Sequence, residues 1–124
     1  MPYPRHPTTI GEHILKRRCE LELFQKDVGK QIGVSAWTIM NWEKGYSEPE
    51  IQWYPAIISF LGYETFPEPQ TLGEKILIYR KRHGLSQVQL AWGLCVDPTT
   101  LMLWEQDKRV PKRTTLHRLM QFLA

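Results

Sequence analysis

The stretch that decides the fold is Gly33-Val34-Ser35-Ala36-Trp37-Thr38-Ile39-Met40-Asn41-Trp42-Glu43-Lys44-Gly45. It returns 62 residues later as Cys95-Val96-Asp97-Pro98-Thr99-Thr100-Leu101-Met102-Leu103-Trp104-Glu105-Gln106-Asp107. Each version opens on a strong helix start, Ser35 in one and Asp97 followed by Pro98 in the other. The Ser and Asp oxygens can accept from the first free helical N–H groups, and proline suits the first helical position. Apolar residues then recur three apart, Ile39 with Trp42 and Leu101 with Trp104, as one buried helix face requires. A short helix running to about Lys44 or Gln106 is expected in both.

The repeat extends outward on both sides. Thr9-Ile10-Gly11-Glu12 returns as Thr71-Leu72-Gly73-Glu74, Gln25 as Gln87, Pro49 as Pro111 and Phe60-Leu61 as Phe122-Leu123, without a gap. The chain therefore reads as two copies of one unit of about fifty residues. The expected organisation is an arm at 1–8, a first unit at 9–62, a linker at 63–70 holding Pro67 and Pro69, and a second unit at 71–124. Thr-x-Gly-Glu is a capping signature, the hydroxyl accepting from the N3 amide and the carboxylate reaching back. The first helix should bury Ile10, Ile14 and Arg18, or Leu72, Ile76 and Arg80. A second helix from Gln25 or Gln87 should bury Val28 and Ile32, or Leu90 and Leu94. A last helix carries Tyr54, Ile57, Ile58 and Leu61, or Leu116, Leu119, Met120 and Leu123, with Pro55 tolerable only in its first turn. No strand pattern occurs, so an all-α fold is expected.

An arginine on a buried stripe needs a partner, because an unpaired buried charge is costly. Glu43 and Glu105, each directly after the buried Trp, are expected to pair with Arg18 and Arg80.

Two short helices joined by a tight turn, with small Gly29 or Ala91 at their crossing, have the layout of a helix-turn-helix. The residues Leu23-Phe24-Gln25, Gly33-Val34-Ser35, Thr38-Ile39 and Trp42-Glu43-Lys44-Gly45 resemble the phage-repressor-like, Cro and XRE type helix-turn-helix proteins. So do Leu85-Ser86-Gln87, Cys95-Val96-Asp97, Thr100-Leu101 and Trp104-Glu105. The resemblance covers nearly all of 9–124 and implies two tandem five-helix lambda-repressor-like domains. It implies that the third helix of each enters a major groove. The base-reading candidates are then Ala36, Trp37, Met40 and Asn41, and Pro98, Thr99, Met102 and Leu103. Gln25 and Gln87 become phosphate candidates, joined by Lys44, Tyr46 and Ser47 and by Lys108, Arg109, Lys112 and Arg113 in the following loops. The sequence departs from the pattern at Phe24, Cys95 and Asp107, where Ser, Gly and Gly are usual. Met40, Met102, Leu103 and Trp37 are apolar on a face that should meet donors and acceptors; Met40 and Met102 suit packing as well as reading.

Charge divides unevenly. Residues 1–70 hold 7 Lys/Arg and 9 Asp/Glu, and residues 71–124 hold 9 and 4. The basic second half suits nucleic acid. Overall, 42% hydrophobic and 23% charged residues exclude a disordered or fibrous chain. No apolar run reaches a membrane span and the first residues lack a signal-peptide core, so a cytoplasmic protein is expected. Cys19 and Cys95 are isolated, so neither a disulfide nor a metal site is expected. His6, His13, His83 and His117 occur singly, expected at the surface, and no nucleophile motif or glycine-rich loop appears, so no catalytic residue or cofactor is expected. The expectation is a sequence-specific double-stranded DNA binder, a small transcriptional regulator acting as a two-unit monomer or weak homodimer. The alternatives are a helical adaptor that docks a protein partner on the exposed Met/Trp face, and a DNA-binding antitoxin-type component.

Overall fold

The computed structural model describes residues 4–124 and divides the chain into two compact units, one ending at Thr65 and one spanning Phe66–Ala124. The first contains α1 (Ile10–Glu20), α2 (Gln25–Ile32), α3 (Ala36–Lys44) and α4 (Tyr54–Leu61), and the second α5 (Leu72–His83), α6 (Gln87–Leu94), α7 (Pro98–Glu105) and α8 (Arg113–Leu123). Among the described residues there is no strand, and each unit is built on four α-helices where the family resemblance implied five.

Local chemistry sets the helix starts. Thr9 Oγ1 accepts from the Glu12 N–H and Thr71 Oγ1 from the Glu74 N–H, each at 3.1 Å. The two glutamates reach one residue further back than a closed capping box would: Glu12 accepts from the Thr8 hydroxyl and Glu74 from the Gln70 N–H. Ser35 caps α3 through the Thr38 N–H, and Asp97 caps α7 through the Thr99 N–H. At Phe24, which has no acceptor, the cap is half made: Asp27 accepts from the Phe24 N–H at 2.9 Å. Ser86 and Gln89 complete the reciprocal pair in the second unit.

The third helix of each unit is the hub. In the first unit α3 packs on α1 and α2, and Ile39 and Trp42 join Ile14, Val28, Ile32, Ile57, Phe60 and Leu61 in the core. In the second, α7 packs on α5 and α6, with Leu101 and Trp104 among Ile76, Leu90, Ala91 and Leu119. Gly11 and Gly73 permit the closest approach. A Cβ on Gly11 would lie 1.7 Å from the Trp42 carbonyl oxygen, and one on Gly73 2.1 Å from that of Glu105.

The turn positions are left-handed in both units. Gly33 and Cys95 share one such position, at φ 104° and 58°, and Gly45 and Asp107 another, at φ 76° and 58°. A non-glycine residue there costs about 1–2 kcal/mol. Asp107 gains something in return, since its Oδ1 accepts from the Gly73 N–H at 3.0 Å and so caps α5 from a distant loop.

The units differ at their ends. Pro55 has no N–H and cannot sit inside a helix, so residues Ile51–Trp53 form a separate 3-10 turn before α4. His117 holds that position in α8, which runs unbroken from Arg113. The 3-10 turn brings the Trp53 ring against Gly33, 3.6 Å from where a Cβ would stand. Thr115 occupies the matching position and leaves an opening of about 150 Å³ bordered by Cys95, Trp104, Leu119 and Phe122. Phe122 is accordingly 41% exposed where Phe60 is 8% exposed. His13, expected at the surface, is half-buried: its Nδ1 shares a 2.9 Å hydrogen bond with the Tyr63 hydroxyl, and burial lowers its pKa, assisted by Lys16.

Two stability outcomes follow from this packing. Gly11→Ala should destabilise the first unit by about 1–3 kcal/mol or more, because the obstacle is backbone and cannot swing aside. Thr115→Trp, which imports the ring that fills the opening in the first unit, should stabilise the second by about 0.5–2 kcal/mol. Guanidinium unfolding of the full chain measures both, and an unchanged midpoint for Gly11→Ala would refute the close contact.

Candidate nucleic-acid interface

Arg18 is 7% exposed, yet each nitrogen of its guanidinium donates a hydrogen bond. Its Nε and Nη2 donate to the two Glu43 carboxylate oxygens at 2.7 and 3.0 Å, and Nη1 donates to the Leu23 carbonyl at 3.1 Å. The hydrogen bond to Glu43 raises the Arg18 pKa above its ordinary value, against the opposing effect of burial. Arg80 makes the same fork with Glu105 at 3.0 and 2.6 Å, and donates to the Leu85 carbonyl at 3.2 Å. Each arginine thus ties three things together: the first helix, the turn that follows it, and the last turn of the third helix. The start of the second helix joins this set in the first unit, where Gln25 Nε2 donates to Glu43 Oε1 at 3.0 Å. Among the described residues, Gln87 makes no such bond to Glu105.

With the third helix held, the disposition of its other residues follows. In α3, Trp37 and Lys44 are exposed, whereas Ala36, Met40 and Asn41 are half-buried. In α7, Thr99 is exposed and Pro98, Met102 and Leu103 are half-buried. The apolar side chain that α3 presents to water is therefore Trp37 rather than Met40. Gln25 and Gln87 are half-buried, and Tyr46 and Ser47 are exposed in the loop after α3. Tyr46 is held there by its backbone, its N–H donating to the Asn41 carbonyl at 2.9 Å. Lys108, Arg109, Lys112 and Arg113 are all exposed in the second unit. Among the described residues none of these four makes an ion pair.

Several surface features are visible only in the folded chain. Phe24 is 69% exposed at the start of α2, Trp37 70% in α3 and Tyr46 73% beyond it. Trp92 and Val110 are also exposed. The copy-to-copy comparison holds a signal for the first three, since their partners in the second unit are Ser86, Thr99 and Lys108. Among the described residues there is no cluster of His, Cys, Asp and Glu able to hold a metal ion, and no helix long and apolar enough to cross a membrane.

A fold of this kind, with a short helix pair and an exposed third helix, defines a class of DNA-binding domain. Residues 71–124 match the family model described as a helix-turn-helix domain. That match covers the second unit, and it agrees with the all-α helix-turn-helix fold and supports DNA as a partner. No curated protein and no solved structure matches the chain.

Breaking the fork tests its part in the fold. Glu43→Ala strands a buried guanidinium and should cost about 3–5 kcal/mol, loosening the first unit as a whole. Hydrogen exchange of the α1 and α3 amides would report it; protection like the parent's would mean that the pair does not hold the helices.

Proposed function

We propose that the protein is a sequence-specific binder of double-stranded DNA, a small transcriptional regulator of the Cro/XRE type, and that its second unit grips the duplex. The observation that carries this reading is the set Lys108, Arg109, Lys112 and Arg113, four exposed cations directly after α7 with no ion-pair partner among the described residues. Phosphate contacts supply most of the sequence-independent affinity, and cations beside the reading helix are where they are needed. The Ser86–Gln89 cap adds a helix start whose free N–H groups favour an anion. The matched helix-turn-helix family supports the same assignment.

Base discrimination on this reading comes from Thr99 at the exposed start of α7. A hydroxyl at that place can bond a base edge in the major groove. Gln87 is the phosphate candidate of the second unit, while the Gln25 amide is drawn onto Glu43.

Titration at several salt concentrations, against a site selected from a random duplex pool and against random duplex, decides the matter. Neutralising the four cations to Gln should weaken binding to all duplexes and flatten the salt dependence, by up to about 0.9 log units per log unit of salt for each phosphate left without its cation. Thr99→Ala should instead relax preference at one base position, costing about 1–3 kcal/mol on the selected site alone. A loop variant that kept the parent's salt slope would overturn the assignment of the grip to the second unit.

A further inference from the structure

The three exposed aromatics of the first unit stand at the start of α2, along α3 and just beyond it. Trp37, Asn41 and Lys44 stand at i, i+4 and i+7 along one face of α3. Beyond them, Tyr46 has its ring centroid 5.9 Å from Lys44 Nζ. Phe24 opens α2 with Lys26 Nζ 5.7 Å from its own ring centroid. The bond from Gln25 to Glu43 holds this start of α2 beside the end of α3 from which Tyr46 emerges. Two carboxylates on these helices are already engaged within the unit: Asp27 accepts from the Phe24 N–H, and Glu43 from Arg18 and Gln25.

The second unit serves as an internal comparison. On the same frame it places two hydroxyls and an amine, Ser86, Thr99 and Lys108, where the first places three rings. Donors are what a duplex backbone requires. Rings have little to gain there, because paired bases stack on one another and show only their edges in the grooves. Unpaired bases offer their faces, and a ring with a cation beside it can stack the base and neutralise its phosphate. A protein interface would favour rings bordered by apolar groups, with lysine kept from its centre.

We infer that the first unit binds single-stranded nucleic acid, stacking unpaired bases on Phe24, Trp37 and Tyr46 while Lys26 and Lys44 meet the backbone and Asn41 bonds a base edge. The inference rests on the reading of the chain as a nucleic-acid binder and gives its two units different substrates, a duplex for the second and unpaired strand for the first, so that Trp37, Asn41 and Tyr46 serve the strand in place of the duplex contacts that the family resemblance implied.

The test uses the full chain and fluorescence anisotropy with two labelled probes. One is a non-self-complementary DNA single strand of ~12 nucleotides, within the span such sites cover, and the other is a duplex of the selected site. The variant Phe24→Ser, Trp37→Thr, Tyr46→Lys installs the second unit's residues. All three parent side chains are at least 69% exposed, so the fold should survive, and its added lysine works against the expected loss. Single-strand affinity should fall by about tenfold or more, with duplex affinity unchanged. Trp37→Thr alone should lose about fivefold. The neutralised 108–113 loop should do the reverse, losing duplex and keeping single strand. The inference is overturned if the parent does not bind the single strand, if the triple variant binds it as well as the parent, or if that variant loses both probes equally. A protein-docking face would give the first of these results. Failure of duplex binding in the parent would tell against the proposed regulator and is read from the other probe.

Discussion

The crossing of the first helix over the third sets everything that each unit can present. At this crossing Gly11 lets α1 come down onto the backbone of Trp42 and Glu43, and Arg18, two turns further along, holds the Glu43 carboxylate with both arms of its guanidinium. A buried ion pair of this kind adds little net stability over a well-packed apolar pair, because two charges have been taken out of water. Its contribution is direction. A planar fork accepts a carboxylate in one orientation, and the remaining nitrogen on the Leu23 carbonyl fixes the turn into α2 as well. The exposed face of α3 is thereby set relative to two other elements by one side chain. Gly73 and Arg80 do the same for α7.

The helices were legible in the sequence because their signals are local. Ser35, Asp97 with Pro98, and the Ile39/Trp42 and Leu101/Trp104 spacings each report a start or a face within one or two turns, and the 62-residue offset shows each twice. What lies across from a face is not local, and here the sequence is silent. Nothing in Thr-x-Gly-Glu says that its glycine meets a carbonyl more than thirty residues away, or that Asp107 would reach back to cap α5. The same limit applies to the candidate interface. The position of Arg18 on a stripe with Ile10 and Ile14 can be read from spacing by four, whereas the recruitment of Gln25 into the Glu43 network depends on how α2 leaves its turn. The exposure of Phe24 is of this kind too: an apolar residue at a cap position gives no sign of which way it faces.

Changes between the copies carry very different costs. Exchanging Phe24, Trp37 and Tyr46 for Ser86, Thr99 and Lys108 alters side chains at the surface, where substitutions usually move stability by no more than about 0.5 kcal/mol. Exchanging Trp53 for Thr115 touches the interior, and the effects spread: an opening forms beside α6, and Phe122 is left half in water. The Gly45-to-Asp107 exchange lies between these, its strained backbone offset by a new cap on the neighbouring helix.

This asymmetry explains how one frame can support two surfaces. The residues that orient the third helix, a glycine, an arginine and a glutamate, are alike in both units, and each is buried or nearly so. The residues proposed to meet a ligand lie outside that set, at the start of the second helix, along the exposed side of the third and in the loop beyond it. Chemistry at Phe24, Trp37 and Tyr46 can change from rings to hydroxyls and amines without disturbing the fork, since none of these three contributes a side chain to it. The looser interior of the second unit leaves Lys108 and Arg109 in place for the same reason: they follow directly on α7, which Arg80 and Gly73 hold, whereas Lys112 and Arg113 belong to the start of α8.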